Sequence, residues 1–160
     1  LISLTLCNKT EKNDLEMAQS YHAVWIHLVW ATKNRQPLIL PSLKYKLYDK
    51  FREIAKDKGY YLDFVNGIED HVHLLVGLHP KFNISTVVKN FKGISHTWIR
   101  DNNLSEVYFN WQDGYAAFSV SPDRVPQVRR YIERQEEHHC AKSFELEWRD
   151  YKSQTAVYKG

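Results

Sequence analysis

Residues 60–78 read Tyr60-Tyr-Leu-Asp-Phe-Val-Asn-Gly67, then Ile68-Glu-Asp70, then His71-Val-His73-Leu-Leu-Val-Gly-Leu78. The outer runs are rich in aromatic and aliphatic residues and read as two antiparallel strands joined by 68–70. Alternate side chains of a strand share a face, so His71 and His73 stand side by side while Val72, Leu74 and Val76 point the other way. Two imidazoles whose Cα atoms lie about 6.5–7 Å apart can converge on one divalent cation. A His-x-His alone is more often an exposed or satisfied pair than a ligand set.

Upstream, Tyr21 to Ala31 reads as a strand with apolar side chains on both faces, hence central or buried in an interface. Lys33-Asn-Arg-Gln-Pro37 is a polar turn. Ser42, after Pro41, caps a helix running to about Lys58, with Leu43, Leu47, Phe51 and Ile54 as its apolar stripe, and Gly59 stops it. Downstream, Asn83 or Ser85 opens a second helix in which Ile84, Val87, Val88, Phe91, Ile94 and Trp98 keep helical spacing. Asn102-Asn103 breaks it, and 114–120 is a fourth strand. Ser121-Pro-Asp-Arg-Val-Pro126 starts a third helix reaching about His138 and burying Val125, Val128 and Ile132. A last amphipathic segment spans Phe144 to Val157. The order β-α-β-β-α-β followed by helices predicts an α+β, ferredoxin-like split βαβ fold (RRM-like): an antiparallel sheet with helices on one face, plus C-terminal helices.

Composition bounds the function. A chain of 160 residues with 43% hydrophobic and 14% aromatic residues is folded and of single-domain size. Its net charge of +3 permits an anionic partner without requiring one. Cys7 and Cys140 make neither a disulfide framework nor a zinc motif. No apolar run has the length of a membrane span, and no signal-peptide layout precedes the fold, so a cytoplasmic protein with no membrane partner is expected. The one methionine, Met17, divides the expected organisation: residues 1–16 as expression-derived, upstream-translated or disordered sequence, and 17–160 as a single domain.

A second constellation lies in Tyr131-Ile-Glu-Arg-Gln135. Residues four apart share a helix face, so Tyr131 and Gln135 present together while Ile132 faces the core. A phenol is a weak nucleophile unless a metal or cation orients its target, and an amide oxygen can ligate a hard cation. With ten tyrosines in the chain, such a spacing means little by itself.

Together the two constellations resemble the single-tyrosine HUH transposases, in which two histidines flank a bulky hydrophobic residue on one strand. The resemblance runs from about Tyr21 to His139. It includes His27-Leu-Val-Trp30-Ala-Thr-Lys33, Gly67-Ile-Glu-Asp-His-Val-His-Leu-Leu-Val76, Asn90-Phe-Lys-Gly93, Gly114-Tyr-Ala-Ala-Phe-Ser-Val120 and Tyr131-Ile-Glu-Arg-Gln-Glu-Glu-His-His139. It implies a homodimeric enzyme that cleaves and rejoins hairpin-bearing single-stranded DNA, acting at the bacterial or archaeal nucleoid. It also implies that His71, His73 and Gln135 hold one Mg²⁺ or Mn²⁺ and that Tyr131 is the nucleophile, forming a 5′-phosphotyrosine link without a nucleotide cofactor. Whether the tyrosine helix serves its own metal site or its partner's is left open.

Lys33, Arg35, Lys89, Lys92, His96, Arg100 and Arg130 are the candidate phosphate contacts, each also readable as solvated surface. Arg129 and Arg134 also flank the tyrosine, amid glutamates that make surface pairing an ordinary alternative. Trp111 and Tyr115 are candidate base-stacking residues, with core packing the stronger reading for aromatics in this chain. Three other functions compete: a domesticated relative processing repeated palindromes, an RRM-like nucleic-acid-binding module, and a metal-dependent hydrolase using water. A covalent protein–DNA adduct separates the transferase from the last two.

Overall fold

The computed structural model describes residues 21–135 and Arg149. The N-terminal segment 1–16, the end of the tyrosine helix beyond Gln135 and the expected segment 144–157 (save Arg149) therefore lie outside the described residues.

Four strands form one antiparallel sheet: β1 (Trp25–Ala31), β2 (Tyr61–Ile68), β3 (His71–Gly77) and β4 (Ala116–Val120), in the order β2-β3-β1-β4. The helices are α1 (Pro41–Lys58), α2 (Ile84–Asp101) and α3 (Val125–Glu133). The α+β, ferredoxin-like expectation holds. β1 begins at Trp25 rather than Tyr21, because only from there do residues pair with both β3 and β4.

Local chemistry explains most boundaries. Pro41 opens α1, its missing N–H costing nothing at a helix start, and Ser42 lies inside the helix rather than at its cap. Gly59 ends α1 at φ 71°, a left-handed cap that favours glycine. Asn83 caps α2, its side chain accepting from the Thr86 N–H at 2.8 Å. A 3-10 turn, Pro122–Arg124, leads directly into α3.

Helices α1 and α2 cover one sheet face. Leu28 and Trp30 from β1 and Val72, Leu74 and Val76 from β3 pack there against Leu47, Phe51, Val87, Val88 and Phe91. The opposite face carries a smaller cluster of Leu75, Val120, Val125 and Ile132, so α3 docks on the other side of the sheet. A register shift between Leu62 and Phe64 sets both layers. Leu62 pairs with Val76 and joins the large core, whereas Phe64 pairs with Leu75 and joins the α3 face. Such an irregularity reverses the in–out phase of a strand at one point.

Candidate active site

Register places His71 and His73 on the α3 side of the sheet. Both are buried, and their ring centroids are 5.0 Å apart. His71 Nδ1 lies 2.6 Å from Asp70 Oδ1, and Asp70 Oδ2 accepts from Arg35 Nε at 2.9 Å and Nη2 at 2.6 Å. A carboxylate beside Nδ1 draws the proton to that nitrogen and leaves the lone pair on Nε2, the arrangement a metal-binding histidine uses. Burial alone would push the Asp70 carboxyl upward. The hydrogen bonds from His71 and Arg35, with their charges, outweigh it and hold the group below its ordinary value.

The turn before α1 aims Arg35 at that carboxylate. Asn34 and Arg35 both adopt positive φ, 55° and 56°, which costs about 1–3 kcal/mol per residue. The Arg35–Asp70 pair, with the Thr32 N–H bonding the Asp70 carbonyl at 2.9 Å, holds the turn in place.

α3 reaches the histidines through three tethers. Asn66, paired in register with His73, donates to the Ile132 and Glu133 carbonyls at 2.9 and 3.0 Å. Arg129 grips Asp63, next to the register shift, through Nε and Nη2 at 2.8 and 2.6 Å. Ile132 is fully buried. These contacts set the Tyr131 ring 6.0 Å from the His73 ring and 6.0 Å from the His27 ring, edge-on to both. One turn later, Gln135 is fully buried; its Nε2 donates to the Tyr131 carbonyl at 3.4 Å, and its Oε1 has no hydrogen-bond partner among the described residues. A single chain thus brings Tyr131 beside His73. Among the described residues no three His, Cys, Asp or Glu side chains are grouped to hold a metal.

The candidate DNA contacts divide. Lys89 and Arg130 are exposed. Arg100 is exposed beside Asp101, and Lys33 pairs with Asp113 at 3.1 Å. Arg35 serves Asp70. Lys92 donates to the Gln112 and Gly114 carbonyls at 2.7 and 2.9 Å, tying down the loop before β4. Of the aromatics, Trp111 is core, its Nε1 donating to Ser95 Oγ at 3.0 Å, whereas Tyr115 is exposed.

Two residues at the site escaped the sequence reading. Asp70 directly precedes the first histidine, a local signal for a carboxylate partner. His27 shares a strand face with Trp25 and Val29 along β1, but nothing in the sequence says which side of the sheet that face covers. It is buried, its Nε2 is 2.9 Å from His73 Nδ1, and burial pushes its pKa down to about 4.

Transposases of known structure share this architecture. The model of the IS200-like transposase family matches residues 20–135. The ISDra2 transposase TnpA of Deinococcus radiodurans is 31% identical over 114 residues, spanning 68% of this chain and 81% of that protein. A solved structure described as a transposase of D. radiodurans R1 superposes with a TM-score of 0.58 at 29% identity, covering 76% of this chain and 98% of that one. A REP-associated tyrosine transposase bound to a REP hairpin has the same fold, with a TM-score of 0.57 at 12% identity over 76% of this chain and 72% of that one. The chain belongs to the IS200-like transposase family. No helix among the described residues is long and apolar enough to cross a membrane.

Proposed function

We propose that this transposase cleaves and rejoins single-stranded DNA at hairpin-marked ends through a covalent bond to Tyr131. The observation that carries the reading is the approach of Tyr131 to His73 within one chain, on a helix tethered to the sheet at Asn66 and Asp63. The relative bound to a REP hairpin supports a hairpin partner.

His71, His73 and Gln135 are the residues that would hold Mg²⁺ or Mn²⁺. The donor set fits a divalent cation: Asp70 fixes one imidazole with its lone pair on Nε2, and the buried Gln135 Oε1 is a hard acceptor. Such an ion, when bound, supplies Lewis-acid polarisation of a phosphoryl oxygen. Tyr131 Oη attacks phosphorus and the bond to the 3′ oxygen breaks. The phenolic proton ends, in net terms, on the departing 3′-hydroxyl, and a 5′-phosphotyrosine remains. The tyrosyl ester conserves the phosphodiester's energy, so attack by another strand's 3′-hydroxyl restores the phenol and rejoins DNA without a nucleotide cofactor. The working unit in this reading is a homodimer acting at the nucleoid. Mobile and domesticated roles share the chemistry, and hairpins flanking the gene tell them apart.

The test is adduct formation on a hairpin-bearing single-stranded oligonucleotide with Mg²⁺ or Mn²⁺, resolved by denaturing gel. Wild type forms the adduct and Tyr131→Phe does not. An adduct with Tyr131→Phe refutes the nucleophile, and wild-type cleavage without an adduct refutes the transferase in favour of a hydrolase.

A further inference from the structure

We propose that His27 is a positioning residue that fixes the tautomer of His73; the inference rests on the metal site proposed above. The two rings have centroids 5.1 Å apart, planes 22° apart and facing nitrogens only 2.9 Å apart. They therefore meet edge to edge along the line joining His27 Nε2 and His73 Nδ1, the geometry of an in-plane N–H···N hydrogen bond. One of those two nitrogens carries the proton. If it were His27 Nε2, a neutral His73 would carry its own proton on Nε2 and could not ligate through that atom. With the proton on His73 Nδ1, His27 accepts, and the buried His73 keeps a lone pair on Nε2 for a metal.

The strand pair is built for this contact. His27 sits opposite Leu75 and Val29 opposite His73, so His27 reaches His73 diagonally on the α3 face. Phe118 from β4 and Tyr131 from α3 each lie 6.0 Å from the His27 ring, which limits its rotation. His71 and His73 are thus oriented by different acceptors, a carboxylate from Asp70 and an imidazole from His27. Partners of this kind set which nitrogen a metal sees and how firmly the ring is held.

The test uses the full metal-free chain labelled with ¹⁵N-histidine, in which two-bond proton–nitrogen correlations report the protonated nitrogen of each ring. Wild-type His73 is expected as the Nδ1–H form. His27→Leu, which fills the site but accepts nothing, should abolish that preference and weaken Mn²⁺ binding, measured by calorimetry, about 10–100-fold. His27→Gln, whose amide oxygen can stand near the lost Nε2, should recover most of the affinity. A purely structural role would instead lower thermal midpoints without this rescue. Wild-type His73 protonated at Nε2 overturns the inference whether or not any variant folds, as does unaltered Mn²⁺ affinity in His27→Leu. A wild type that retains Nδ1–H but takes up no Mn²⁺ overturns the metal site itself, and His27's purpose with it.

Discussion

Gly67→Ala is the sharpest probe of how the strands hold the histidines. A Cβ at Gly67 would overlap the His71 carbonyl oxygen and lie 2.9 Å from Val72 Cα, both backbone atoms of the paired strand. Nothing there can swing aside, so β2 and β3 must separate at the first histidine. Overpacking of this kind costs about 1–3 kcal/mol, offset by about 0.4–1 kcal/mol from a stiffer unfolded chain. The net loss of up to about 2.6 kcal/mol corresponds to a fall of up to about 10 °C in thermal midpoint. Gly77→Ala is the matched control on the same strand pair. Its Cβ would meet Tyr61 Cδ1 at 3.0 Å, the ring of a side chain 62% exposed that can move into solvent. That variant should stay within about 0.5 kcal/mol of wild type. Urea and thermal unfolding followed by tryptophan fluorescence read both values, and adduct formation should fall only in Gly67→Ala. A Gly67→Ala midpoint at or above wild type, or an equal fall in Gly77→Ala, would refute the close-approach argument.

Four further outcomes are expected. Ile132→Ala should destabilise the α3 face by about 2–5 kcal/mol, seen as a lower denaturation midpoint accompanied by slower adduct formation. Asp70, whose folded carboxyl lies below the ordinary 3.8, contributes stability that is fully present above that value and lost as pH falls through the lowered folded one. The midpoint difference between wild type and Asp70→Asn should therefore be constant above about pH 5 and shrink in more acid solution; a difference that grows on acidification contradicts the assignment. Lys89→Ala should reduce the salt dependence of DNA binding without altering the midpoint. Lys92→Ala should lower the midpoint, because its ammonium secures the Gln112 and Gly114 carbonyls.

Periodicity and punctuation carried the secondary structure. Alternation placed His71 and His73 on one face, Gly59 and Asn83 marked helix ends, and the 131–135 spacing paired Tyr131 with Gln135. These are nearest-neighbour effects, written wherever side-chain spacing meets a strand or helix repeat. The relative placement of Tyr131 and the histidines was not legible that way. It depends on α3 docking opposite α1 and α2, through Asn66 and Asp63, which precede it by more than sixty residues. Nor could spacing reveal the switch of phase between Leu62 and Phe64, since a register shift is defined only against the partner strand. Arg35 and Lys92 had the charge of phosphate contacts, yet the fold turns one to Asp70 and the other to backbone carbonyls. His27 shows the division most plainly. The sequence by itself determined a histidine on a strand; only the β1–β3 register, a contact across forty-six residues, decided that its ring meets His73.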